Sequence, residues 1–197
     1  MAAQILPTQI PTQILPKGLS VTLDVITQKE EQEIIDYLDS KIWVHVNPSN
    51  PKSRRVQQFG YGYAYTSKKL IPGDPIDGPI GILAERIKLG GLMDPVQCIV
   101  NEYLQTQGIA AHIDNKNFGG AVVGISICDD GVLTFRKDKE VIEVFLPRRS
   151  MMVMSGESRY IWTHEMKSTK SYFVDSLKVV KPTTYRRISL TFRELAK

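Results

Sequence analysis

Three polar clusters in the C-terminal half of the chain have residue types that suit one metallocentre. They are His112-Ile113-Asp114, a lone His164, and the run Arg187-Ile188-Ser189-Leu190-Thr191-Phe192-Arg193. An imidazole and a carboxylate two residues apart on a strand share a face, because strand side chains alternate with period two. A second imidazole from another strand completes a set of two histidines and one carboxylate. That set suits non-haem Fe(II) and leaves adjacent coordination positions open. The same alternation puts Arg187, Ser189, Thr191 and Arg193 on one face of the last run, with Ile188, Leu190 and Phe192 on the other. Two guanidinium groups on an inner face need an anion there, and a small dicarboxylate such as 2-oxoglutarate fits. The remaining histidine, His45, has no carboxylate beside it and reads as a structural or surface residue.

The elements that must position these groups are mostly strands. After Asp94-Pro95, the segments 96–105, 109–114, 121–127, 131–136, 140–146, 150–155, 159–164 and 185–194 are short, strand-like and separated by turn residues. This pattern predicts a jelly roll. Upstream, Val21 to Ile26 is a predicted strand. Thr27 followed by Glu30 is a capping-box pattern opening a helix through about Asp39, with Ile34, Ile35 and Leu38 as its buried stripe. A second helix is expected over 80–89, stopped by Gly90-Gly91. The segment 54–65 alternates aromatic and small residues and predicts a strand, and 68–81 predicts a loop long enough to be a lid. Residues 1–17 contain the tetrapeptide PTQI twice and no regular apolar period, which predicts an extended, mobile and dispensable arm. The expected fold class is mainly β with flanking helices (α+β), a double-stranded β-helix (jelly-roll) core filling one domain over 18–197.

Composition narrows the setting. At 197 residues and 42% hydrophobic content the chain can bury a sizeable core, and no apolar stretch is long enough to span a bilayer. The start has no basic n-region and does not predict a secretory signal. Cys98 and Cys128 show no metal-type or redox-type spacing, so the expected compartment is reduced and intracellular, cytoplasmic or nuclear. A net charge of +4 permits a nucleic-acid partner. The doublets Arg54-Arg55, Lys68-Lys69 and Arg148-Arg149 could form a phosphate-binding rim, or simply a solvated surface.

The order HID, then PRRSMMVMSGESRYIWTHE, then RISLTFR resembles the AlkB-like Fe(II)/2-oxoglutarate-dependent dioxygenases from about Gly18 to Glu194. The segments GLSVTLDVIT, RRVQQFGYGY and LPRRSMMVMSGESRYIWTH look most like the eukaryotic branch that contains the tRNA wobble-uridine hydroxylase. The resemblance implies Fe(II) on His112, Asp114 and His164, with 2-oxoglutarate as cosubstrate and O2 as oxidant. It also implies cosubstrate contacts from Asn101, Tyr103, Arg187, Ser189, Thr191 and Arg193. Arg187 and Tyr103 would hold the distal carboxylate, and Asn101 and Arg193 would lie nearer the metal. Ser189 stands where the family motif usually has asparagine, and the stretch between His164 and Arg187 is longer than in the bacterial enzyme.

The implied substrate is a nucleobase in single-stranded or looped RNA or DNA. It would be either demethylated, as in DNA repair, or hydroxylated at a tRNA wobble uridine. Candidate substrate contacts are Arg55, Phe59, Tyr61 and Tyr63, because bases stack on aromatic faces. The chain is expected to act as a monomer without a membrane. It has no room for the RNA-recognition and methyltransferase modules of the tRNA enzyme, so a separate RNA-binding partner is one expectation. The alternatives are a dioxygenase acting on a protein or small molecule, and a non-catalytic jelly-roll module that binds nucleic acid.

Overall fold

The structure, a computed structural model, describes residues 13–64 and 69–196, with the side chains of residues 63–70 outside the description. Two antiparallel sheets face each other. The larger is ordered β1 (Leu19–Thr22), β10 (Met151–Ser155), β7 (Phe118–Cys128), β14 (Arg186–Leu195), β5 (Gln97–Leu104), β3 (Arg55–Ala64) and β2 (Val44–His45), with β4 (Lys69–Pro72) paired to β3. The smaller is ordered β6 (Ile109–His112), β11 (Thr163–Met166), β8 (Gly131–Lys137) and β9 (Glu140–Leu146). A separate hairpin joins β12 (Ser171–Val174) to β13 (Leu177–Val180). This is a jelly-roll arrangement, mainly β with helices on one side.

Period-two alternation divides the larger sheet into two working faces. Its outer face carries Cys98, Val100, Ile188, Leu190 and Phe192, all buried against helices α1 (Gln28–Asp39) and α2 (Gly78–Leu89). Fully burying a side chain of this kind contributes about 1.5–3 kcal/mol. The capping box forms as the sequence predicts, with Glu30 N donating to Thr27 Oγ1 at 3.1 Å and Thr27 N donating to Glu30 Oε2 at 2.7 Å. Glu31, on the buried stripe, accepts from the Cys128 backbone N–H (2.9 Å) and from Arg148 Nη2 (2.7 Å), tying α1 to the strand ends. Between the two sheets lies a second core, which includes Val122, Phe135, Leu146, Met154 and Trp162.

Several elements differ from expectation. The predicted lid contains β4, hydrogen-bonded along β3, and helix α2 starts at Gly78. The expected strand over 159–164 is the short helix α3 (Gly156–Tyr160) followed by β11. The first strand lies at 19–22 and not 21–26, and the β12–β13 hairpin falls where no strand was expected. His45 is structural: its Nδ1 lies 2.8 Å from Ser53 O, across the turn between β2 and β3.

Residues 1–12 of the expected arm lie outside the described residues, but residues 13–17 are docked. Gln13 donates Nε2 to Phe145 O (3.1 Å) and accepts from Phe145 N (2.6 Å) on the open edge of β9, and Leu15 packs against the inter-sheet core. Two net hydrogen bonds and one half-buried leucine contribute about 2–3 kcal/mol. Removing residues 1–17 should therefore lower Tm by on the order of 5–10 °C. An unchanged melting curve would show that these contacts add nothing.

Candidate metal centre

His112 and His164 are direct cross-strand partners on β6 and β11, with ring centroids 4.3 Å apart. Asp114 sits two residues past the end of β6, so strand alternation does not aim its carboxylate. Two arginines do. Arg193 Nη2 donates to Asp114 Oδ1 at 2.5 Å, reaching across from β14 of the opposite sheet. Arg159, on α3 and fully buried, donates to the backbone carbonyls of Asp114 (3.0 Å), Asn115 (2.8 Å) and Phe118 (3.1 Å). The three candidate ligand atoms lie within 4.8 Å of one another, so small side-chain shifts would bring all three onto one ion.

The donor chemistry fits a cation. Asp114 Oδ2 is buried without a hydrogen-bond partner among the described residues, 3.9 Å from His164 Nε2. A buried carboxylate oxygen with nothing to accept is costly, and a metal ion would satisfy it. Burial alone would raise the Asp114 pKa. The charges of Arg193, His164 and His112, with the Arg193 hydrogen bond, outweigh burial and hold the carboxyl well below its usual range. Burial pushes His164 down to about 4, so its ring is a neutral ligand at ordinary pH. His112 Nδ1 lies 2.8 Å from Ala110 O; donating there leaves Nε2 with the lone pair a metal needs.

The β14 alternation is as the sequence predicts. Arg187, Ser189, Thr191 and Arg193 line a cavity of about 540 Å³ together with His112, Asp114 and His164. Across the β14–β5 ladder, Arg187 pairs with Tyr103 and Ser189 with Asn101, and both partners also line the cavity. Arg187 lies at the end away from Arg193. Its guanidinium sits 5.9 Å from the Tyr103 ring, and Nη2 donates to Ser126 Oγ at 2.7 Å. The residue is only 3% exposed, its Nε is unpartnered, and it forms no ion pair among the described residues. Its neighbour Arg186 points to the helix side and is fully paired, with Asp39 (2.5 Å) and Glu102 (2.8 Å).

The expected substrate contacts on β3 fare differently. Phe59 is 0% exposed and packs into the helix-side core opposite Cys98. Arg55, on the same outer face, is held by Glu102 and lies over Trp43. Neither faces the cavity. The β3–β5 register gives the inner position to Arg54, whose Nε donates to Asn101 Oδ1 at 3.0 Å. Gly60 has φ +73°, which breaks the alternation, and Tyr61 beyond it is exposed at the surface without lining the cavity. The Tyr63 side chain lies outside the description. The Arg148-Arg149 doublet is spent on Glu31 and Asp24, so it does not form a free phosphate rim.

Two residues at the site carry no motif of their own. One is Arg159. The other is Gln97, 0% exposed, whose Oε1 accepts from Arg193 Nη1 at 3.0 Å. Alternation from Asn101 places Gln97 on the inner face, which is the only sequence signal for it.

A family model described as the 2OG-Fe(II) oxygenase superfamily matches residues 18–193. The tRNA (carboxymethyluridine(34)-5-O)-methyltransferase ALKBH8 of Macaca fascicularis is 34% identical over 169 residues, covering 79% of this chain and 25% of that protein. The alkylated DNA repair protein ALKBH8 homolog of Arabidopsis thaliana is 29% identical over 213 residues, covering 90% of this chain and 58% of that protein. Among solved structures, OsALKBH1 superimposes with a TM-score of 0.69 at 16% identity, over 92% of this chain and 99% of that one. The chain thus spans a quarter of one curated relative and somewhat over half of the other.

Proposed function

Because the chain belongs to the 2OG-Fe(II) oxygenase superfamily, as an AlkB-like member related to the ALKBH8 branch, we propose that it is an Fe(II)- and 2-oxoglutarate-dependent dioxygenase acting on a nucleobase. One observation carries this reading. A buried guanidinium without an acidic partner, Arg187, shares a cavity of about 540 Å³ with a buried His-Asp-His cluster that includes a partnerless carboxylate oxygen. A buried uncompensated cation is strongly unfavourable unless an anion joins it. One end of the cavity therefore suits a carboxylate, at Arg187, and the other end suits a cation.

On this reading His112, Asp114 and His164 hold the iron. Arg193 fixes the free rotation of Asp114 by occupying Oδ1, leaving Oδ2 for the metal. Gln97 in turn holds Arg193. Arg187 takes the distal carboxylate with its planar fork beside Tyr103. Ser189, Thr191 and Asn101 line the path between the two ends. The chemistry that iron supplies when bound is the O2-dependent conversion of 2-oxoglutarate to succinate and CO2, coupled to hydroxylation of a C–H bond. Leu133, Met152 and Met154 give the cavity an apolar wall that limits water.

Gly131 serves the same end. A Cβ built there would lie 2.6 Å from Arg187 Cδ and 2.7 Å from its Nε. Gly131→Ala should displace the guanidinium and weaken 2-oxoglutarate binding by roughly tenfold, the lower end of what a charge-assisted hydrogen bond contributes. Iron binding should be unchanged. Equal cosubstrate affinity in calorimetry would show that Arg187 has another position available.

The nucleobase is supported by the functions for which the relatives are named, one for a tRNA uridine and one for alkylated DNA, and by Arg54 on the cavity wall. A methyl on a ring nitrogen, once hydroxylated, leaves as formaldehyde; a carbon bonded only to carbon keeps its oxygen. The test is a panel of modified RNA and DNA oligonucleotides, read by mass spectrometry alongside succinate. We expect one oligonucleotide to stimulate succinate formation, and binding to weaken with salt by about −0.7 in log–log slope per phosphate contacted. Product heavier by one oxygen would identify stable hydroxylation, and formaldehyde would identify demethylation. Turnover on a protein or free metabolite, with no oligonucleotide bound at low salt, would overturn the nucleobase reading and leave the oxygenase reading intact.

A further inference from the structure

A second cavity, of about 240 Å³, lies against the face of β8 that carries Val132 and Thr134, opposite Leu133 and Phe135, and is bordered by β12 of the β12–β13 hairpin. Lys181, just after β13, is among its lining residues. Lys181 is 3% exposed, yet its ammonium forms no ion pair and no hydrogen bond among the described residues; it lies 4.8 Å from the centre of the Tyr185 ring. Thr134, itself 1% exposed, and Tyr172 line the same cavity, and their hydroxyls have no hydrogen-bond partner among the described residues. Three donors without a partner among the described residues thus line one partly open cavity. Burial lowers the Lys181 pKa to about 8, with Arg187 acting in the same sense, so at neutral pH the cation is present and uncompensated. A buried cation in that position needs an anion.

The lining decides which anion. Two lysines line it, but Lys167 is paired with Glu143, which leaves Lys181 as the one uncompensated cation among the lining residues; Thr169 and Ser171 add polar wall, and Val132, Met166 and the Phe173 ring supply the apolar part. Glu143 also lines the cavity, paired with Lys167 at 2.6 Å, and its carboxylate disfavours a doubly charged group. We propose that this cavity is a binding site for a small aliphatic monocarboxylate, its carboxylate on Lys181, Thr134 and Tyr172 and its alkyl tail against Val132, Met166 and Phe173. Nothing in this proposal depends on the metal cluster or on its substrate.

The test is calorimetric titration of the full chain with sodium butyrate and, separately, inorganic phosphate. It is run under argon with 2-oxoglutarate at saturation, so that the Arg187 end is occupied. Butyrate should bind at one site. Lys181→Met should weaken it by roughly ten- to a hundredfold, the usual effect of losing a charge-assisted hydrogen bond, and should leave 2-oxoglutarate affinity unchanged. Tyr172→Phe and Thr134→Val remove one hydroxyl each with little change of shape. They should weaken butyrate by a few fold and keep the site testable if Lys181→Met does not fold. Binding of phosphate in preference to butyrate would overturn the assignment. So would butyrate binding indifferent to all three substitutions, or no butyrate binding at all.

Discussion

Alanine at His112, Asp114 or His164 should abolish conversion of 2-oxoglutarate to succinate by the iron-loaded protein. Each removes one of the three ligands proposed for the metal, and no other group of three His, Cys, Asp or Glu residues is clustered among the described residues to replace it. The three variants should nevertheless differ in stability. Asp114→Ala also strips Arg193 of its carboxylate, and breaking a buried pair by removing one partner costs about 3–5 kcal/mol. Metal-free Asp114→Ala should therefore melt well below metal-free His112→Ala, although both are inactive. Iron content by elemental analysis, succinate release and Tm together check this. Full turnover by His164→Ala would show that the second imidazole is not a ligand.

The second large effect separates two adjacent arginines. Arg187→Ala should weaken 2-oxoglutarate binding by about ten- to a hundredfold, from the 1.5–3 kcal/mol of a hydrogen bond to a charged group, and leave iron binding intact. Arg186→Ala should leave cosubstrate affinity alone and instead lower stability, because Glu102 is buried and loses one of its two guanidinium partners. Titrating each variant with 2-oxoglutarate and melting it in parallel separates the two roles. Reversed behaviour would mean that β14 faces the other way.

How much of this is legible in the sequence depends on whether the signal is local. Helix α1 announces itself through Thr27 and Glu30, whose side chains cap the very turn they belong to. The inner face of β14 is legible because alternation over Arg187 to Arg193 is uninterrupted. The aromatic strand misleads at Phe59 and Arg55, because which face of β3 meets the cavity is set by its pairing with β5, whose Cys98 and Glu102 are far along the chain. Gly60 then breaks the alternation with its positive φ. Arg159 escapes a reading of the sequence because three carbonyls from a distant loop converge on it, and no pattern along the chain records such a contact. The β12–β13 hairpin is short and exposed, with little apolar alternation to mark it.

The division of labour along β14 bears on how this chain can change over generations. Neighbouring positions there serve opposite faces, one packing helices and one lining the cavity, and the strand lies between β7 and β5 with ladders on both sides. Any single residue of it can be exchanged for another at a local cost. Insertion or deletion of one codon would turn every downstream side chain over at once, sending arginines into the hydrophobic core and Leu190 and Phe192 into the cavity. The strand is open to spelling changes and closed to changes of length. The stretch just before it, from His164 to Arg187, has the reverse freedom, since it can lengthen into a hairpin such as β12–β13 without altering the phase of β14.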